Sequence, residues 1–584
     1  MNGRGRARLI AVARGDERPD TVVEGASVFC AHTREWLTGD VAIADGMVAG
    51  IGSYEGGERI DARGKWLVPG FIDAHMHVES SKLTPAQFAR AVLPHGTTAI
   101  VCDPHEVANV LGSDGVHWML DASEGLPLAV YVMAPSCVPA SAFESPRREL
   151  TVGDMEAILR RKRALGVAEM MNFPGVIAGD PDVLAKLEVR GASHADGHAP
   201  GVLGRALDAY TAAGIRSDHE ATTVEEALAK RRRGMWVLLR EASNARNLRT
   251  LLPLVRELGP AFCAFCTDDR EPDMLLREGH INQMCRTAVA EGVPVEDVLV
   301  MATLHAAQAH RLDGHGAIAP GFRADLVVLD DLTEFRPSLV LAGGRVAARD
   351  GAAEPFELPA TPAHVLNTVR SAPLGADDLS LEAGGDVRVI EIVPEQLITI
   401  ARTVSPARSN GHVVTDPARD LAKIAVIERH HATGRVGRGL VTGFGLRAGA
   451  FASTVAHDAH NVVAVGVDDA SILGCVARLQ ELGGGCVVAS GGAVTGELPL
   501  PVAGLLSDRP VEEVVERLEA LHAQLRDLGV EIEAPFMTLS FLALSVIPAL
   551  KITDRGLVDV DRFEIVPLAV GGRSDSTPAR PQRS

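Results

Sequence analysis

Two rhythms of apolar and polar positions divide the chain. Residues 21–65 carry short stretches of strand period, TVVEGASVFC and WLTGDVAIADGMVAGIG, with Asp45-Gly46 as a hairpin signal. From residue 66 to about residue 310, brief apolar runs such as TTAIVCD, LAVYVMAP, GVAEMMNF, GIRSDHE, MWVLLRE and FCAFCTD alternate with helical patterns. Such alternation predicts a parallel sheet, and about eight units in ~250 residues is the size of a closed barrel. The run KWLVPGFID predicts the first barrel strand. Strand period returns in HGAIAPGFRADLVVLDDLTEF, which pairs naturally with residues 21–65 as a flanking β domain.

The expected organisation is therefore α/β. It has a (β/α)8 TIM-like barrel over 66–312, and a small β-sandwich from 1–65 and 313–350. A Pro- and Ala-rich connection covers 351–380, and an additional C-terminal α/β domain covers 381–570. The polar tail, 571–584, is expected to be disordered.

Charge narrows the function. Lys and Arg number 57 against 76 Asp and Glu, a net charge of −19. Nucleic-acid binding needs clustered basic residues, so no nucleic-acid partner is expected. No stretch approaches the ~20 apolar residues of a membrane span, and LIAVA near the N-terminus is too short for a secretory signal. The eight cysteines are scattered, which fits a cytoplasmic protein. Cys263-Ala-Phe-Cys266 has no second pair nearby and reads as part of a buried strand.

Functional residues of a parallel barrel sit at the C-terminal ends of its strands. There the chain places His75 and His77, then Asp103, His105 and Glu106, then Glu169. His194 and His198, Asp218, His219 and Glu220, and Asp268 and Asp269 follow. Alternate residues of a strand share a face, so His75 and His77 point to one centre. By the same rule Asp269 points away from Asp268 and is expected to be structural. Any one of these is an ordinary polar strand end. Four histidines with carboxylates on one barrel form a constellation.

The motifs PGFIDAHMHVESS, DPHEVANV, EMMNFPGV, DGHAPG, SDHE and TDD, with STVAHDAHN and LPLPVAGLLSD further on, closely resemble the adenine deaminase branch of the amidohydrolase superfamily over nearly the whole chain. The resemblance implies a two-metal site held by His75, His77, Glu169, His198, His219 and Asp268. Glu169 stands where many relatives carry a carboxylated lysine. The implied reaction is adenine plus water to hypoxanthine and ammonia, by a hydroxide that bridges two divalent ions and attacks C6. Mixed N and O donors suit Mn²⁺, Fe²⁺ or Zn²⁺, and the richness in carboxylates favours Mn²⁺ or Fe²⁺. Asp268 would carry the proton toward the leaving amine. Glu106 and His105 are the candidate acids for a ring nitrogen, with Glu220 next. Asp103, Glu79 and Glu220 are candidates for orienting ligands or lining the pocket. A homodimer or larger assembly is expected.

A second cluster, His457, Asp458, His460 and Asn461, lies between apolar strands, with His430-His431 before it. It reads first as a buried hydrogen-bonded network, then as a substrate lid or interface, then as a metal site. Two other readings of the whole chain compete with adenine deamination. One is an amidohydrolase acting on a related purine or cyclic amide. The other is a non-catalytic assembly protein, which should have lost metal ligands, whereas all six are present.

Overall fold

A computed structural model describes residues 3–394 and 396–571. Of the expected tail, residues 572–584 lie outside the described residues.

Eight strands form the barrel: β1 (Phe71–Met76), β2 (Thr97–Cys102), β3 (Ala129–Ala134), β4 (Ala164–Met170), β5 (Ala195–Gly197), β6 (Ser217–Asp218), β7 (Trp236–Arg240) and β8 (Cys263–Cys266). Neighbours pair in parallel and in chain order. Parallel bridges Ala195↔Ile215 and Met76↔Asp268 join β5 to the approach of β6 and close β8 onto β1. Strand alternation explains the packing. Ala74, Ala99, Ala168 and Ala264 share one cluster with Val101 and Leu238, while Ile100, Cys102, Val237 and Leu239 join the large core that includes the helices. Small residues suit the crowded interior of an eight-stranded barrel. Cys263 and Cys266 are buried on opposite faces of β8 and share no centre.

The run KWLVPGFID is two strands. Trp66–Pro69 belongs to the flanking seven-stranded sheet, between Ser27–Cys30 and Leu326–Leu329, and β1 begins at Phe71. The break falls at Gly70, where a Cβ would stand 2.1 Å from Thr98 Oγ1. Only a residue without a side chain lets the chain cross there from one sheet to the other. A four-stranded sheet packs on the seven-stranded one through Val23, Val41, Ile43, Leu67, Leu326 and Leu341. Asp45 and Gly46 join two of its strands with positive φ at both positions (50° and 76°), the conformation of a type I′ hairpin turn. The basic N-terminal segment forms a helix, Gly3–Arg14, whose Leu9 and Val12 pack on this sheet.

The C-terminal domain is an eight-stranded sheet, antiparallel except where Val387–Ile392 meets Val436–Thr442, with helix Asp469–Leu482 against it. It is clamped to the barrel by the segment that follows β3. Ser145 Oγ donates to Asp554 (2.7 Å), Thr553 Oγ1 donates to the Phe143 carbonyl (2.6 Å), and Arg555 donates to the Ala142 carbonyl (2.8 Å). This clamp holds the domain over the C-terminal ends of the barrel strands. No helix among the described residues is long and apolar enough to cross a membrane.

Candidate metal centre and its cavity

Glu169, at the end of β4, lies at the middle of the cluster. Its Oε1 is 3.7 Å from His75 Nε2 and 3.4 Å from His77 Nε2. Its Oε2 is 2.6 Å from His198 Nδ1 and 3.4 Å from His219 Nε2. Asp268 Oδ1 lies 3.6 Å from His75 Nε2 and 3.1 Å from His77 Nε2. One carboxylate thus faces two sets of imidazoles, and a second carboxylate faces one set. All six residues are buried.

The donors fit divalent cations. His77 Nδ1 meets the Asp103 carbonyl at 2.9 Å, so it carries the hydrogen and leaves Nε2 free to ligate. His75 Nε2 and His198 Nε2 are buried without a hydrogen-bond partner among the described residues. Burial opposes ionisation of Glu169, but His198, His219 and His75 outweigh it and hold the carboxyl well below its usual range. Burial likewise opposes, and His75 and His77 overcome, in keeping Asp268 ionised. The same carboxylates raise His75 against burial. Two ionised carboxylates facing four imidazoles present the mixed oxygen and nitrogen donors that a divalent cation takes.

Strand alternation fails at Asp268, and for a local reason. Asp268 has a left-handed φ of 54°. Its N–H donates to the His75 carbonyl (3.0 Å), and its own carbonyl accepts from His77 N–H (3.3 Å). With the strand geometry broken, Asp268 and Asp269 both line the cavity. Asp269 is therefore a wall residue and not the outward-facing structural one that alternation predicts. Ser80 Oγ donates to it, and burial together with Asp268 pushes its carboxyl up to about 7.

The other expected residues divide by position. His105 lines the cavity, with Nδ1 3.2 Å from Asp103 Oδ2. Asp103 also accepts the His105 N–H (3.1 Å), so it orients His105 from below. Glu220 lines the cavity and pairs with Arg240. Glu106 stands behind the wall, 3.3 Å from His457 Nδ1, where burial and then Glu79 raise its carboxyl well above the usual range. Glu79 accepts the Val107 N–H (3.1 Å) at the start of helix His105–Leu111. His194 directly precedes β5 and contacts His310 at 3.0 Å, away from the cluster.

Arg240 escaped the sequence reading. It is buried and donates to Glu220 and to Asp268 Oδ2 (2.9 Å), so it fixes the oxygen of Asp268 that faces away from His77. It ends β7, and the strand-end rule applied to MWVLLRE could have found it. The C-terminal cluster divides: His460 and Asn461 lie in the buried hydrogen-bonded network expected of it, where Arg429 donates to the His460 carbonyl and the Arg429 N–H to Asn461 Oδ1 (3.1 Å), while the other two residues face the site. His457 and Asp458 line the cavity, His105 Nε2 lies 3.5 Å from Asp458 Oδ1, and the His457 ring stacks on Phe541 with centroids 4.3 Å apart. Met171, Leu397, Phe541 and Leu544 supply the apolar wall. The cavity volume is about 20 Å³, room for about one water.

Residues 66–360 match the amidohydrolase family, and residues 396–564 match the adenine deaminase C-terminal domain. Adenine deaminase 2 of Carboxydothermus hydrogenoformans is 46% identical over 564 residues, covering 96% of this chain and 99% of that protein. An adenine deaminase of Cereibacter sphaeroides is 47% identical, with 96% and 99% covered. Among solved structures, a β-aspartyl dipeptidase of Fervidobacterium islandicum aligns with a TM-score of 0.45 at 17% identity, covering 58% of this chain and 99% of that one.

Proposed function

The chain belongs to the adenine deaminase family of amidohydrolases, and from that premise we infer that it hydrolyses adenine to hypoxanthine and ammonia. The placement of Glu169 supports this most directly, since its two oxygens face His75 and His77 on one side and His198 and His219 on the other. Two divalent ions are held in this reading by His75, His77, Glu169, His198, His219 and Asp268. Carboxylate-rich donors favour Mn²⁺ or Fe²⁺. Such ions lower the pKa of a water at the site to about 7.

The remaining work falls to the chain. Asp268 stays ionised between two imidazoles and Arg240, placed to take a proton from the attacking water and pass it toward the amine. His105 is the candidate acid on the cavity for a ring nitrogen. Glu106, its carboxyl raised well above the usual range by burial, stands behind it against His457. The apolar wall excludes bulk water and packs on the faces of a flat ring. Eight unpaired cysteines suit a reducing compartment, which supports a cytoplasmic location.

The test is ammonia release from adenine by Mn²⁺-loaded protein, with adenosine, guanine and cytosine alongside. Turnover of adenine alone is expected. No turnover of adenine by protein carrying bound metal would remove the substrate assignment.

A further inference from the structure

The C-terminal domain reaches into the site with one carboxylate whose chemistry the deamination scheme does not use. Asp458 is 2% exposed and lines the cavity. Its Oδ1 lies 3.5 Å from His105 Nε2 and 3.7 Å from His457 Nδ1. Its Oδ2 is buried and has no hydrogen-bond partner among the described residues. A buried acceptor left without a donor loses its hydration with nothing in return, so a donor from outside the chain is the natural complement.

We propose that Asp458 is a specificity-determining residue that accepts the imidazole N–H of the free purine base. This rests on the adenine reading above. A carboxylate oxygen recognises only a donor. A free purine presents a ring N–H on its imidazole side, whereas a nucleoside replaces that hydrogen with a sugar. The surroundings agree. Met171, Leu397, Phe541 and Leu544 line the same cavity and offer an apolar surface to a flat ring. The carboxylate is also held in place from the barrel side. Glu144 accepts the Ala459 N–H (3.2 Å), Asn461 Nδ2 donates to the Ser145 carbonyl (3.3 Å), and Ser545 Oγ donates to Glu144. The turn that carries Asp458 is thus fixed by two domains at once, as discrimination at one atom requires.

The test is steady-state kinetics of the full-length, Mn²⁺-loaded protein and its Asp458→Asn and Asp458→Ala variants. Adenine is the substrate, 9-methyladenine the competitive inhibitor, and metal content is measured in parallel. In the wild type, adenine should bind well ahead of 9-methyladenine. Both variants should keep their metal and lose roughly 10- to 100-fold in KM for adenine. In Asp458→Ala the preference for adenine over 9-methyladenine should collapse. Unchanged KM in both variants overturns the proposal. So does an equal loss for adenine and 9-methyladenine, which would mark Asp458 as structural. A wild type that releases no ammonia from adenine would instead overturn the underlying substrate reading.

Discussion

Glu144 allows a sharp test of how the two domains are joined. It is 2% exposed, and burial, followed by the charge of Asp458, raises its pKa from 4.5 to about 8. Asp554, itself paired with Arg435 at 3.1 Å, adds to the effect, while Ser545 and the Ala459 N–H oppose it. Below pH 4.5 the native and unfolded chains both hold the proton, and the group makes no difference to stability. Between pH 4.5 and about 8 the native chain keeps a proton that the unfolded chain releases, so stability falls as pH rises. Above pH 8 the loss is complete. At about 1.36 kcal/mol per pKa unit, the change is on the order of 5 kcal/mol. Glu144→Gln keeps the acceptor for Ala459 and never ionises. The variant should match the wild type near pH 5 and exceed it near pH 8.5. For a cooperative unit of domain size the gap is roughly 10 °C in Tm. The assay is thermal or urea unfolding of both proteins at five pH values. Two curves that stay parallel from pH 5 to 9 would show that Glu144 is ionised throughout and refute the reasoning.

Further expectations follow from the same contacts. Glu169→Gln removes the carboxylate shared by four imidazoles; elemental analysis should show lost metal, and kcat should fall on the order of 10²–10³-fold. Arg240→Met leaves Glu220 and Asp268 buried without their cation, which should cost roughly 3–5 kcal/mol in urea unfolding, and a loss under 1 kcal/mol would refute the pairing. Chelation should abolish ammonia release and lower Tm, with Mn²⁺ restoring both; an unchanged Tm would mean the cluster holds no cation. Phe541→Ala removes the ring stacked on His457 and should raise KM for adenine, with about 3 kcal/mol lost in stability.

The architecture and most of the cluster were legible in the sequence because they follow local rules. Strand-helix alternation predicts the parallel barrel, and the strand-end position of His75, His77, Glu169, His198, His219 and Asp268 makes them neighbours once the barrel closes. Asp269 was misplaced because alternation assumes regular strand dihedrals, and the positive φ of Asp268 is set by backbone bonds to β1, some 190 residues earlier. The role of His457 and Asp458 depends on contacts with Glu144 and Ser145, more than 300 residues away. Glu106 and His105 are adjacent, yet only the docking of the C-terminal domain puts one behind His457 and leaves the other on the cavity. What the chain determines by itself is which residues can ligate, since that depends on residue type and a two-residue period. Which of the others reach the cavity was decided by tertiary contacts, within the barrel for Asp269 and between domains for His457 and Asp458, because long-range contacts leave no periodic trace in the sequence.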